Sequence, residues 1–199
     1  MAWILARKIE MTRIVKNDSF VPVTLLSVPV LKVVGLKTIE KDGYNAVLVW
    51  ILSKDSKGGL KSEKQALSHN EFDEIREFRV QDISVYSVGQ DITIDLLDGV
   101  TEVRIEGISK WHGFTGAMKR WNFHGWRATH GSKFHRALGS IGTRKPRRTK
   151  PWQKMHGHMG DEKVTLKRVP LELVNKEIWV IWVKGWVPGS RNSLVHIIF

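Results

Sequence analysis

The stretch GISKWHGFTGAMKRWNFHGWRATHGSKFHRALGSIGTRKPRRTKPWQKMHGHMG, Gly107–Gly160, divides the chain into parts that obey different rules. It holds twelve cations (Lys110, Lys119, Arg120, Arg127, Lys133, Arg136, Arg144, Lys145, Arg147, Arg148, Lys150 and Lys154) and no Asp or Glu. The formal net charge of the 199-residue chain is +12, so the whole excess lies here and the remainder is electrically balanced. The only Leu, Ile or Val side chains of the stretch are Ile108, Leu138 and Ile141, too few to offset the entropy of ordering so long a segment. Nine of the 17 glycines fall in it, and glycine favours irregular backbone over helix or ladder. Residues 1–107 and 161–199 are therefore expected to form a folded body, and 108–160 an extended loop ordered by something outside the chain.

A polyanion with a shape of its own meets that requirement. Lys and Arg neutralise phosphates and release counterions, glycines allow close backbone approach, and rings stack on exposed bases. A solvated basic linker would be Lys-rich and poor in aromatics. Here Trp111, Phe114, Trp121, Phe123, Trp126, Phe134 and Trp152 punctuate the charges. RNA is favoured over DNA, because no helix-turn-helix spacing, Cys-based finger or heptad zipper is present to place a reading helix in a major groove. Folded back as a hairpin, each limb could reach at most ~90 Å at ~3.3 Å per residue, enough to enter a large RNA.

Outside that stretch the sequence reads as β. Strands are expected at WILA (Trp3–Ala6), in VPVTLLSVPVLKVV (Val21–Val34), where Pro22 and Pro29 suit edges or bulges, and in NAVLVWIL after the KDGY turn. VYSVGQDITIDLL and TEVRIEGI alternate with strand period, and KVTLKRVPLELV, EIWVIWVKG and NSLVHIIF read as three more strands separated by NK and VPGS turns. Lys54–Lys64 reads as a loop and Glu63–Phe78 as one short helix. Six or more short strands with a late return predict a mostly β fold, an antiparallel barrel that leaves no sheet edge, with at most one or two short helices. There is no Cys, hence no disulfide and no thiolate zinc site, which suits a reducing cytosol. The apolar runs are too short to span a membrane and no export signal opens the chain.

Catalytic readings find little support. Six of the eight histidines lie in the cationic stretch, and His156-Gly-His158 invites a metal, but no carboxylate or thiolate accompanies them. Ser132 and Ser140 have no oriented base nearby, and GSIG and HGHMG lack the Lys-Ser/Thr and helix of a phosphate loop. Asp91, Asp95, Asp98 and Glu102 follow turns and strand alternation, as a solvated face does. No catalytic residue, cofactor, metal, membrane or small-molecule substrate is expected. Two other classes remain open: a free RNA-binding chaperone, and a metal-dependent ribonuclease using His156 or His158.

GFTGAMKRWNF, ATHG, HRALGSIG and KMHGHMGDEKVT resemble the central signature of the universal large-subunit ribosomal protein L-three family, bacterial type. RKIEMTRI with FVPVTLL, DGYNAV, EFRV, SVGQDITIDLL and VKGWVPGSRNSLV resemble the rest of that family in order along the whole chain. The resemblance implies a six-stranded antiparallel barrel like those of translation factors, with the central segment extruded as a long Gly-rich basic loop. It implies a structural role in the large ribosomal subunit: binding large-subunit rRNA near its 3' end, nucleating assembly beside ribosomal proteins fourteen and nineteen, and sending the loop toward the peptidyl-transferase centre in the cytoplasm. The residues expected on RNA are the twelve cations with Trp121, Asn122, Phe123, Thr129, His130, His135, Gly139, Ser140, His156 and His158. Arg7, Lys8 and Arg13 would add contacts from the body.

Two departures carry consequences. Thr143 follows GSIG where many members have a methylated Gln, so that modification is expected to be absent. Trp is common, nine against two Tyr, and Trp3, Trp50, Trp111, Trp126 and Trp152 fall where members often carry Gly. An indole is poorly suited to a turn that needs positive φ or close RNA approach. The expectation is that a UGA codon underlies these five positions and is read as glycine in the source organism. Intact mass of the protein purified from that organism should be lower by five indole-bearing side chains, and a mass matching the Trp-containing sequence rejects the idea.

Overall fold

The computed structural model describes residues 3–52 and 72–199, and the chain divides into two compact units, Met1–Gly107 with Val164–Phe199, and Ile108–Lys163. The first unit opens with β1 (Trp3–Lys16), β2 (Ser19–Ser27), β3 (Leu31–Lys37), a one-turn helix α1 (Ile39–Asp42) and β4 (Ala46–Leu52). It continues through β5 (Phe72–Arg79), a short β6 (Asp91–Ile92), a 3-10 turn at Ile94–Leu97 and β7 (Glu102–Ile108). The second unit holds β8 (Phe114–Thr115), α2 (Ala117–Trp121) and β9 (Gly157–His158). The chain ends with β10 (Lys163–Asn175), β11 (Val180–Lys184) and β12 (Leu194–Ile198). The fold is mostly β, with two short α-helices among the described residues.

Six strands form an antiparallel sheet closed into a ring, in the order β1-β12-β7-β10-β11-β2. The last strand sits between the first and the seventh: β12 pairs with β1 from Trp3↔Ile198 to Arg7↔Leu194, and with β7 from Val195↔Gly107 to Ile198↔Arg104. Alternation then sends Ile4, Ala6, Ile105, Val195 and Ile197 inward, all fully buried, with Leu26, Ile181 and Val183 from β2 and β11. Gly107 is the small member of this lining, because a Cβ there would lie 3.1 Å from both Pro188 Cγ and Val195 Cγ1. Register shifts between Lys8 and Met11 and between Leu171 and Leu173 bend β1 and β10, the local twist that closure requires. Pro22 sits just beyond the last β11 pair, Lys184↔Val23, so its missing N–H breaks no rung of that ladder.

Trp3 and Leu5 point out of the ring yet are buried, which explains why WILA is continuously apolar instead of alternating. They are covered by a second, four-stranded sheet in the order β5-β4-β3-β6. Its Leu31, Val33, Val47, Val49 and Ile51 join the same core, and Phe78 on β5 stacks on Trp3 with ring centroids 3.5 Å apart and planes 6° from parallel. Toward one end of this sheet Lys37 on β3 donates to Glu77 on β5 and to the Tyr44 hydroxyl, each at 2.8 Å. That hydrogen bond from Lys37 holds the Glu77 carboxyl below its ordinary range.

β3, β4, β5 and β6 form the second sheet, whose apolar residues cover the outer side of β1. Two expectations need correction. The helix expected over Glu63–Phe78 is a strand from Phe72 onward, an edge strand of the second sheet in which Glu77 and Arg79 flank Phe78, and its earlier part lies outside the described residues, as does the Lys54–Lys64 loop. VYSVGQDITIDLL is strand only at Asp91–Ile92; Ile94 and Leu97 reach the core from one turn of 3-10 helix, which mimics alternation over so few residues.

Ile197→Ala should lower stability by about 2–5 kcal/mol, since the side chain is fully buried on the strand that closes the ring. Val15→Ala, at a position 67% exposed, should change it by less than about 0.5 kcal/mol. Urea unfolding of the full chain checks both, and equal losses would contradict the placement of β12.

Candidate nucleic-acid interface

The ends of the second unit are held as an antiparallel ribbon. Asp161 donates its N–H to the Ser109 carbonyl (3.1 Å), Ser109 to Glu162 (2.9 Å), His112 to Met159 (2.8 Å) and Met159 to Gly113 (3.1 Å). β8 and β9 extend it, with Phe114 opposite His158 and Thr115 opposite Gly157. Gly160 is required here twice over: its φ is +91°, and a Cβ would fall 1.9 Å from the Lys110 carbonyl oxygen.

Beyond the ribbon, α2 carries Lys119, Arg120 and Trp121 and ends at Asn122, which takes the left-handed conformation at φ +58°. The Trp121 indole N–H donates to the Met155 carbonyl at 2.8 Å, and Arg120 Nη1 reaches the same oxygen at 3.3 Å. Arg120 and Lys154 both lie over the Trp121 ring, 5.1 and 5.6 Å from its centre, a cation–π arrangement. One tryptophan thus ties the helix to the returning limb. Further along, Trp126 donates its N–H to the His135 carbonyl (3.1 Å) and His135 Nδ1 is 2.9 Å from the Arg127 carbonyl. A Cβ on Gly125 would meet that His135 carbonyl at 2.4 Å. Ser140 donates to Gly142 (2.9 Å) and Thr143 to Lys145 (2.8 Å), in a stretch from Arg136 to Lys150 without helix or strand.

The electrostatics of the unit are one-sided. The ion pairs found among the described residues, such as Lys16–Glu172, Lys37–Glu77 and Lys176 with Asp95 and Asp98, involve none of the twelve cations. Arg120 and Arg148 instead donate to backbone carbonyls; Arg120 is half-buried and the other eleven residues are exposed. Thr129, His130, Lys133, Arg144 and Arg147 are likewise exposed, while Phe123 is half-buried. Like charges left unpaired at this density repel one another and favour a polyanionic partner. Among the described residues no three His, Cys, Asp or Glu side chains gather as metal ligands.

Comparison with known proteins agrees with this chemistry. The family model described as Ribosomal protein L3 matches residues 98–181. The chain is 40% identical over 201 residues to the large ribosomal subunit protein uL3 of Fervidobacterium nodosum, covering 99% of this chain and 97% of that one. The chain belongs to the ribosomal protein L3 family. Similar relatives, also large ribosomal subunit protein uL3, occur in Thermosipho melanesiensis (41% identical; 99% and 97% of the two chains) and Geobacter metallireducens (38%; 96% and 94%).

In this L3-family chain two of the three body cations are engaged by the fold: Lys8, at an inward position, donates to the carbonyls of Val187 (2.6 Å) and Gly189 (3.3 Å), and Arg7 to that of Asn192 (3.3 Å). Arg13 lies over Phe20, 4.6 Å from its centre. Of the five tryptophans expected to stand for glycine, Trp152 is 96% exposed with φ +57°, a conformation natural to glycine, whereas Trp3 is buried against Phe78. Phe114 and Trp111 are legible in the sequence as rings set among cations; the face they share with His158 depends on the β8–β9 register, which no local pattern announces.

Gly160→Ala should open the ribbon, with positive φ alone costing about 1–3 kcal/mol in a side chain without compensation. Hydrogen exchange at the His112 and Asp161 amides should quicken while that at Ile4 and Ile197 stays slow. Unchanged protection at His112 would refute the role assigned to this glycine.

Proposed function

We propose that this chain is a structural, non-enzymatic protein of the large ribosomal subunit that binds the subunit's RNA through Ile108–Lys163. The observation that carries the reading is the cluster of twelve cations that have no carboxylate partner among the described residues, set among glycines and rings whose backbone is held by hydrogen bonds. The relatives at about 40% identity, named as large ribosomal subunit proteins, support the same reading. The cations neutralise phosphates and release counterions, which drives association. The irregular backbone from Arg136 to Lys150 follows the RNA surface, and its ordering is coupled to binding. The body acts as the scaffold that fixes where this segment begins and ends. The chain binds near the 3' end of the large-subunit RNA early in assembly, adjoins ribosomal proteins fourteen and nineteen in the cytoplasm, and directs Lys119–Phe123, Thr129–Gly131 and His135–Gly142 toward the peptidyl-transferase centre. Peptide transfer itself belongs to the RNA.

A free RNA chaperone would share these cations but travel apart from subunits. A tagged chain should sediment with large subunits in a sucrose gradient and cross-link to their RNA; sedimentation only at the top of the gradient rejects the reading. Replacing Lys145, Arg147, Arg148 and Lys150 by Ala should reduce the slope of log affinity against log salt by about 3. An unaltered slope would show that these side chains do not meet phosphates.

A further inference from the structure

The ribbon that joins the two limbs has faces of opposite character. On one, Thr115 is buried and Gly157 meets the Arg120 guanidinium. On the other stand Phe114 and His158, direct cross-strand partners, and His156, two residues before His158 and therefore on the same side. Phe114 lies edge-on to His158 (centroids 5.6 Å, planes 89°) and tilted to His156 (5.4 Å, 52°). Trp111 lies nearly parallel to His158 at 5.2 Å and 21°.

We propose that Phe114, His156 and His158, extended by Trp111, form a stacking site for one unpaired nucleobase of the bound RNA. This rests on the RNA-binding reading above and adds where, and by what contact, a base is held. The rings are exposed, 66% for Phe114 and 57% for Trp111, although they are apolar or weakly polar. Their backbone is already fixed by the His112–Met159 and Met159–Gly113 hydrogen bonds, so little freedom is lost when a flat ligand arrives. Phe114 has no donor to offer a phosphate, which leaves its π-face as the means of recognition, and every base presents a matching face. The sequence supplies Lys110 and Lys154 close by and no carboxylate between Gly107 and Gly160, so a nucleotide's own phosphate is welcome and a cationic ligand is not. The same three rings serve whichever residue occupies position 111.

The test is base-specific chemical probing of large-subunit RNA bound to the full-length chain. At least one unpaired base shielded by the unmodified protein should become roughly tenfold more reactive with Phe114→Leu and be shielded again with Phe114→Trp. His158→Leu and His158→Phe should behave the same way at the same base. An identical shielding pattern with both Leu variants, while they stay bound, overturns the stacking site and leaves RNA binding intact. Failure of the unmodified chain to hold the RNA at all overturns both.

Discussion

The pairing of β12 with both β1 and β7 is the constraint on which the rest of the molecule depends. An open sheet of six strands has two edges whose unpaired N–H and C=O groups invite association with other chains. Inserting the last strand between the first and the seventh helps remove them, and Ile197 and Val195 are buried as a result beside Ile4, Ala6 and Ile105. β7 ends at Ile108 and β10 begins at Lys163, so everything between is an insertion into the ring's connectivity. Its length and composition can vary without breaking a rung of the closed ladder. That freedom is what permits a segment with only three Leu, Ile or Val side chains, Ile108, Leu138 and Ile141, to exist within a stable chain.

Charge is partitioned along the same boundary. In the first unit basic and acidic residues are balanced, and several are joined in pairs that link separate elements, as Lys16 does with Glu172 and Lys176 with Asp95 and Asp98. Such exposed pairs add little stability individually, but they leave the surface without a strong field. In Ile108–Lys163 the polar contacts run instead to backbone carbonyls: Trp121 and Arg120 to Met155, Ser140 to Gly142, Thr143 to Lys145. The carbonyls of Met155, Gly142 and Lys145 gain donors within the unit while most of its positive charge stays directed at solvent. A segment so arranged keeps its affinity for a polyanion in reserve. Gly160, Gly125 and the left-handed Asn122 allow the close turns that this requires.

The aromatic residues of the cationic segment fall into two physical kinds. Trp121 is structural as well as cation-facing, because its indole N–H is committed to Met155 and its ring carries Arg120 and Lys154. Among the described residues the Phe114 ring meets the rings of His156 and His158. Both would look alike in a composition count, and only the contacts separate a ring that braces the fold from one that remains available.

The sequence by itself determined the quantities that belong to contiguous stretches. The twelve uncompensated cations, the nine glycines and the scarcity of Leu, Ile and Val mark residues 107–160 without reference to any other part, and the alternation in TEVRIEGI marks a strand wherever it pairs. Family membership was legible for the same reason, since its motifs are local runs. Which strand joins which sheet was decided only by tertiary structure: WILA is buried on both faces because β3, β4 and β5 cover its outer side, and FDEIREFR is a strand because Phe78 meets Trp3. The shared face of Phe114, His156 and His158 likewise exists only through the register of β8 on β9. Local composition sets what a segment can tolerate, but pairing and burial across long separations depend on loop closures whose energy no single segment contains.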